Sequence, residues 1–147
     1  MNVRTTLNAT SAGGINDDEV LKLLDFGLKN EFINGITYLS IFYNGGARGW
    51  PKKHYLMPDE IVDLLQQQSG GAISKESVYL FQKLHLAVKS FLSQRQCLYN
   101  QIYILVRNKD SYEPIDRFIE LKWAEQWLDC YARVYKKINY LQDYIWY

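Results

Sequence analysis

Between Ile73 and Ile145 the apolar residues keep helical phase over longer stretches than anywhere else in the chain, and that phase limits what it can fold into. Laid out at about 100° per residue, Ile73, Leu80, Phe81, Leu84, Val88, Phe91, Leu92, Leu98, Tyr99, Ile102 and Val106 fall on one face. Lys75, Gln82, Lys83, Lys89, Ser93, Asn100 and Asn108 fall opposite. A stripe of this length predicts a helix of roughly 50 Å at about 1.5 Å rise per residue, with Ser74 as its N-cap. Residues 101–106 carry a competing signal, because Ile102, Ile104 and Val106 alternate as in a strand. An α+β fold with a strand at 101–106 is therefore the alternative.

A second stripe runs through Leu121, Ala124, Trp127, Leu128, Tyr131, Val134, Tyr135, Ile138, Leu141 and Ile145, with Lys122, Glu125, Gln126, Asp129, Arg133, Lys136 and Lys137 opposite. This pattern predicts an amphipathic helix that begins near Pro114, where a first helical turn loses nothing by lacking an amide. The segment Arg107 to Pro114 then reads as the loop between two long antiparallel helices. Leu84, Val88, Trp127, Leu128 and Tyr131 are the expected core between them. Ile115, Phe118 and Ile119 point away from the later stripe, so a second cover is expected from the N-terminal part or from another chain.

Upstream, Met1 to Ile15 is polar and reads as a flexible lead before one globular domain over 16–147. Asn16 or Asp17 can cap a helix through Val20, Leu21, Leu24, Leu28 and Phe32, with acidic residues suiting the positive end of its dipole. Gly27 within it argues for close packing. Ile36 to Tyr43 is the strand candidate, running into Asn44, Gly45 and Gly46; Ala47 to Met57 is a candidate return strand, confined to an edge by Pro51. Pro58, Asp59 and Glu60 open a short helix that ends at Ser69, Gly70 and Gly71. The fold class expected is mainly α: two long helices, two or three shorter ones, and a small β element near 36–56.

Composition narrows the function classes. With 147 residues and 48% hydrophobic content the chain can build a core. A net charge of +1 argues against a uniformly basic nucleic-acid binder or an acidic mimic. Cys97 and Cys130 have no neighbouring ligand at metal spacing, so reduced thiols in a cytoplasmic protein are expected, with no metal and no cofactor. There is no signal sequence and no run of about 20 apolar residues, so no membrane association is expected.

Three features could carry function. The first is Gly45 to Tyr55, where Arg48, Lys52, Lys53 and His54 interleave with Trp50 and Tyr55 on a Gly-rich turn. Such a loop can hold phosphates and stack a base, or it can be a solvated tip with Trp50 folded inward. The second is Arg107, Asn108, Lys109, Asp110, Ser111 and Tyr112. This stretch resembles the Arg-Asn-three-His arrangement of HEPN-type ribonuclease domains, which are helical and often belong to toxin and antitoxin systems. Tyr112 stands where that family has its histidine; the other reading of the stretch is a polar helix-to-helix turn. The third is the aromatic load, 12 Tyr and 4 Trp, much of it in the last helix. Trp123, Tyr140 and Tyr144 flank its stripe and Trp146 and Tyr147 follow it. With Phe118 and Ile119 these are the candidate protein-interface residues, since Tyr and Trp bury large area at low entropic cost.

No catalytic motif is present: His54 and His85 lie on different elements, and the acidic residues do not pair at a useful spacing. The function expected is that of a non-enzymatic protein-binding module in a homodimer or hetero-complex, such as an immunity protein, an antitoxin, a phage-encoded inhibitor or a small subunit. The alternatives are nucleic-acid binding through Arg48, Trp50, Lys52, Lys53, His54, Tyr55 and Arg107, or a degenerate HEPN-like ribonuclease domain.

Overall fold

The computed structural model describes residues 4–41, 45–91, 102–108, 111–120, 123 and 126–130. The chain falls into two compact units, one formed by Met1–Lys75 with Ile104–Pro114 and the other by Glu76–Tyr103 with Ile115–Tyr147.

The first unit is built on a strand, a helix and a parallel strand. β1 (Thr5–Ser11) pairs with β2 (Ile33–Ser40), matching Leu7 to Ile36, Ala9 to Tyr38 and Ser11 to Ser40, with an irregularity between Thr5 and Thr6. Parallel pairing requires a crossover, and α1 (Val20–Lys29) supplies it. α1 lies directly on β2 at Gly27, where a Cβ would come within 2.7 Å of Ile36 Cδ1. Absence of a side chain there permits the approach that the glycine suggested. α2 (Pro58–Gln68) opens with Pro58 and with the Glu60 carboxylate accepting from the Met57 amide at 2.6 Å. At its far end the Gln68 side chain accepts from the Leu21 amide at 2.9 Å and donates to the Asp17 carbonyl at 2.6 Å, satisfying backbone groups at the start of α1. Ala12, Val20, Ile61, Val62 and Ile73 form the buried apolar set of this unit.

The same unit contains a hairpin of β3 (Leu105–Asn108) and β4 (Ser111–Pro114), paired antiparallel with Leu105 opposite Pro114 and Asn108 opposite Ser111. The described part of the second unit holds α3 (Lys75–Phe91) from Glu76 onward, Ile102 and Tyr103, a 3-10 turn at Ile115–Arg117, and a helical segment at 126–130. Val78 and Ala87 are its buried apolar residues, beside buried Ser77 and Gln82.

These elements correct the mainly α expectation. Among the described residues the fold mixes helices with two two-stranded sheets, and the first long helix does not reach Val106, because Leu105–Asn108 is β3. The alternation of Ile102, Ile104 and Val106 was the better guide there, although the strand lies at 105–108 and not at 101–106. Pro114 ends β4 instead of starting a helix. The phase break at Ile115, Phe118 and Ile119 has a plain cause: Ile115 sits in a 3-10 turn and Phe118 and Ile119 follow it outside any helix. The strand expected at Ile36 to Tyr43 begins earlier and pairs with β1 instead of a return strand; Ala47–Met57 holds short 3-10 turns and one isolated bridge, Ala12 to Tyr55. Thr5–Ser11, within the expected flexible lead, is a strand.

The expected core fares unevenly. Val88 is 43% exposed and Trp127 is also exposed. Leu84 and Leu128 are half-buried, and Tyr131 lies outside the described residues. Gln82, assigned by phase to the outer face, is only 8% exposed. Its side-chain oxygen accepts from the Ile102 amide at 3.0 Å, and that bond offsets the cost of burying an amide group.

Candidate binding surfaces

The basic loop of the first unit is fixed by backbone and tyrosine hydrogen bonds. Trp50 donates its amide to the Ala47 carbonyl at 3.0 Å, and the Tyr55 hydroxyl reaches the carbonyls of Ala47 at 2.7 Å and Trp50 at 3.2 Å. Gly49 has φ +102°, a conformation that favours glycine. The loop docks on the segment that follows β1. The Gly13 amide donates to the His54 carbonyl at 3.2 Å, and His54 Nδ1 lies 2.6 Å from the Gly13 carbonyl. With that nitrogen as donor, the hydrogen bond selects the tautomer and sets the ring. Approach is so close that a Cβ on Gly13 would lie 2.5 Å from the Lys53 carbonyl oxygen.

Arg48, Lys52 and Lys53 are exposed and form no ion pair among the described residues. Trp50 is 42% exposed and meets the His54 ring edge to face at 5.9 Å. His54 and Tyr55 are half-buried. Arg107, grouped with this loop by residue type, is committed elsewhere. One guanidinium nitrogen, Nη2, donates to the carbonyls of Gly27 at 2.9 Å, Asn30 at 3.1 Å and Ile33 at 3.1 Å, closing the end of α1 and the start of β2. The Gly27 and Asn30 carbonyls also accept the amides of Asn30 and Ile33, and a cation donating to carbonyls at a helix C-terminus adds a favourable interaction with the helix dipole.

Of the six residues that resemble the HEPN arrangement, Arg107 and Asn108 lie on β3 and Ser111 and Tyr112 on β4, not at the end of a helix, and Lys109 and Asp110 lie outside the described residues. Arg107 faces Tyr112 across the two strands. Burial, followed by the charge of Asp25, raises the Tyr112 phenol above its ordinary pKa. Tyr38, whose hydroxyl donates to the Val20 carbonyl at 2.8 Å, is raised further, by burial first and then by Asp25 and Tyr112. Each phenol is held in its protonated, neutral form.

In the second unit, the interface candidates that the structure describes are on the surface: Phe118 is 59% exposed, Trp123 60% and Ile119 37%. Tyr140, Tyr144, Trp146 and Tyr147 lie outside the described residues.

Sequence reasoning missed one polar cluster in this unit. The Asp116 carboxylate accepts from the Tyr103 hydroxyl at 2.6 Å and from the Ser77 hydroxyl at 2.7 Å, and the Tyr103 ring meets Phe81 edge to face. Burial alone would raise the Asp116 pKa; the hydrogen bonds from Tyr103 and Ser77 outweigh it and hold the carboxyl below its ordinary range. Tyr103 shifts upward, through burial and then through Asp116. Its three members are far apart in the chain, and no local pattern announces them. His85 is lowered by burial and by Lys89, which favours neutral imidazole.

Among the described residues no group of three or more His, Cys, Asp or Glu could hold a metal ion, and no helix is long and apolar enough to cross a membrane. Cys130 is an exposed free thiol, and Cys97 lies outside the described residues. No protein-family model, curated protein or solved structure matches the chain.

Proposed function

We propose that this protein acts by binding another protein chain, through the surface that carries Phe118, Ile119 and Trp123. The observation behind this reading is the exposure of Phe118 and Trp123, 59% and 60%, within six residues of one another in sequence. Single exposed apolar residues are ordinary on soluble proteins. A large phenyl ring and an indole so close together, with Ile119 between them, match the aromatic anchors that dominate association energies when buried in a partner's pocket. The candidates Tyr140, Tyr144, Trp146 and Tyr147 would extend the same aromatic character. Immunity proteins, antitoxins, phage-encoded inhibitors and small subunits of assemblies all act by such binding, and the partner can be a second copy of this chain.

Light scattering and capture from a lysate test the reading together, on wild type and on the double variant Phe118→Ser, Ile119→Asn. The expected outcome is self-association at micromolar concentration, or a captured protein, that the double variant loses. A wild type that is monomeric and captures nothing overturns the proposal, as does binding that the double change leaves intact.

A further inference from the structure

The basic turn of the first unit points to a second kind of ligand. We propose that residues 48–55 form a site for single-stranded nucleic acid, in which Trp50 stacks on a base while Arg48, Lys52 and Lys53 hold the flanking phosphates. This inference concerns the first compact unit and does not rest on the protein-binding surface of the second.

Three observations carry it. The first is chemical: three exposed cations without an ion pair among the described residues flank, within three residues in sequence, an indole that is 42% exposed. Sequence-tolerant recognition of single strands uses this combination, a charged track for the backbone and an aromatic platform for the bases. The second is rigidity. Tyr55 ties the turn to itself through the Ala47 and Trp50 carbonyls, and His54 is bonded to Gly13 through both its carbonyl and its ring. A turn already held in place loses little conformational freedom on binding, which removes part of the ordering cost that weakens flexible basic loops. The third is position. Gly13 and the Ala12 to Tyr55 bridge place the turn just past the carboxyl end of β1, in a parallel β-α-β arrangement. Open α/β units bind their ligands outside the carboxyl ends of their strands.

Charge limits the affinity. Asp59 and Glu60 follow the turn in sequence, and the chain as a whole carries +1. Three phosphate contacts on a single strand give a plot of log affinity against log salt with a slope of about −2. Affinity is thus expected to fall about tenfold for each threefold rise in salt.

Fluorescence anisotropy of a labelled oligothymidylate, measured over a salt series beside a duplex of equal length, tests the site. Wild type should bind the single strand in preference to the duplex, with the slope given above. Arg48→Gln, Lys52→Gln, Lys53→Gln together should flatten the slope and abolish binding. Trp50→Ala should weaken binding about tenfold or more, the effect of losing one stacked base, with the slope retained. Trp50→Phe keeps a stacking ring and should bind within a few-fold of wild type, which guards against a Trp50→Ala variant that fails to fold. No binding by wild type at low salt overturns the proposal. Equal affinity for duplex, or a folded Trp50→Ala protein that binds like wild type, overturns it as well.

Discussion

The two compact units hold themselves together by different means. In the first, polar side chains tie down main chain: Arg107 reaches three carbonyls, Gln68 serves both Leu21 and Asp17, Asn16 serves the Ala12 amide and the Thr10 carbonyl, and Tyr38 reaches Val20. Beneath them lies an aliphatic set that includes Val20, Ile61, Val62 and Ile73. In the described part of the second unit, Val78 and Ala87 are the buried apolar residues; Gln82 serves the Ile102 amide in the same manner, but the larger polar cluster joins side chain to side chain at Tyr103, Ser77 and Asp116. The contrast bears on robustness. Backbone satisfied by side chains over an apolar core depends little on pH, whereas a cluster centred on a carboxylate is tied to its charge state.

The largest effect that could break this comparison is in the aliphatic core. Ile61→Ala should cost about 2–5 kcal/mol of unfolding free energy, and Val78→Ala, which deletes fewer buried atoms, about 1–2.5 kcal/mol. Urea unfolding of the two variants measures both; equal costs would show that the second unit relies on apolar burial as much as the first.

A smaller effect sharpens the comparison at Asp116. A carboxyl held below its ordinary pKa in the folded state contributes stability that is present above its unfolded pKa and lost as pH falls through the folded value. Stability of the wild type should therefore decline below about pH 4. Asp116→Asn should remove that component and cost about 1 kcal/mol at neutral pH. Denaturant midpoints recorded from pH 7 to pH 3 on both proteins check the sign; parallel curves would mean that Asp116 does not differ between the folded and unfolded states.

The smallest effect is expected at the basic turn. Reversal of Arg48, Lys52 and Lys53 to Glu removes no buried contact, so unfolding free energy should change by less than about 0.5 kcal/mol. A larger loss would mean that these side chains support the first unit, which would set them beside Arg107 and not among surface cations.

Much of the first unit was legible where local signals are strong. Pro58 with the following acids marked the start of α2, Gly27 marked a close approach, and Val20 sits buried on the face its phase required. β1 was missed because its sequence is polar, yet the sign was present. Leu7, Ala9 and Ser11 are the more buried positions, and Thr6, Asn8 and Thr10 between them are exposed, a period of two in a threonine-rich run. The hairpin was misread because a 3.6-residue phase can be drawn through Ile102 and Val106 even when a period of two fits better. Pairing between Leu105–Asn108 and Ser111–Pro114 decides the matter, and pairing is not a property of either segment alone. Of the candidate sites, the exposed Trp50, Arg48, Lys52 and Lys53 were visible as a composition. Arg107 was grouped with them by charge, because nothing in its neighbourhood in sequence names carbonyls contributed by Gly27, Asn30 and Ile33.

That last separation has a consequence for how the protein is made. The three carbonyls closed by Arg107 precede it by 80, 77 and 74 residues. On a ribosome the chain is delivered from its N-terminus, so α1 and β2 emerge, and can fold against β1 and α2, long before the cation that closes their junction has been synthesised. Until then the junction is held by its local bonds, the Asn30 amide donating to the Gly27 carbonyl and the Ile33 amide to the Asn30 carbonyl. The first unit is therefore complete only once the segment Ile104–Pro114 has been made, and a stall before Arg107 would leave the β-α-β arrangement without the clasp at that corner.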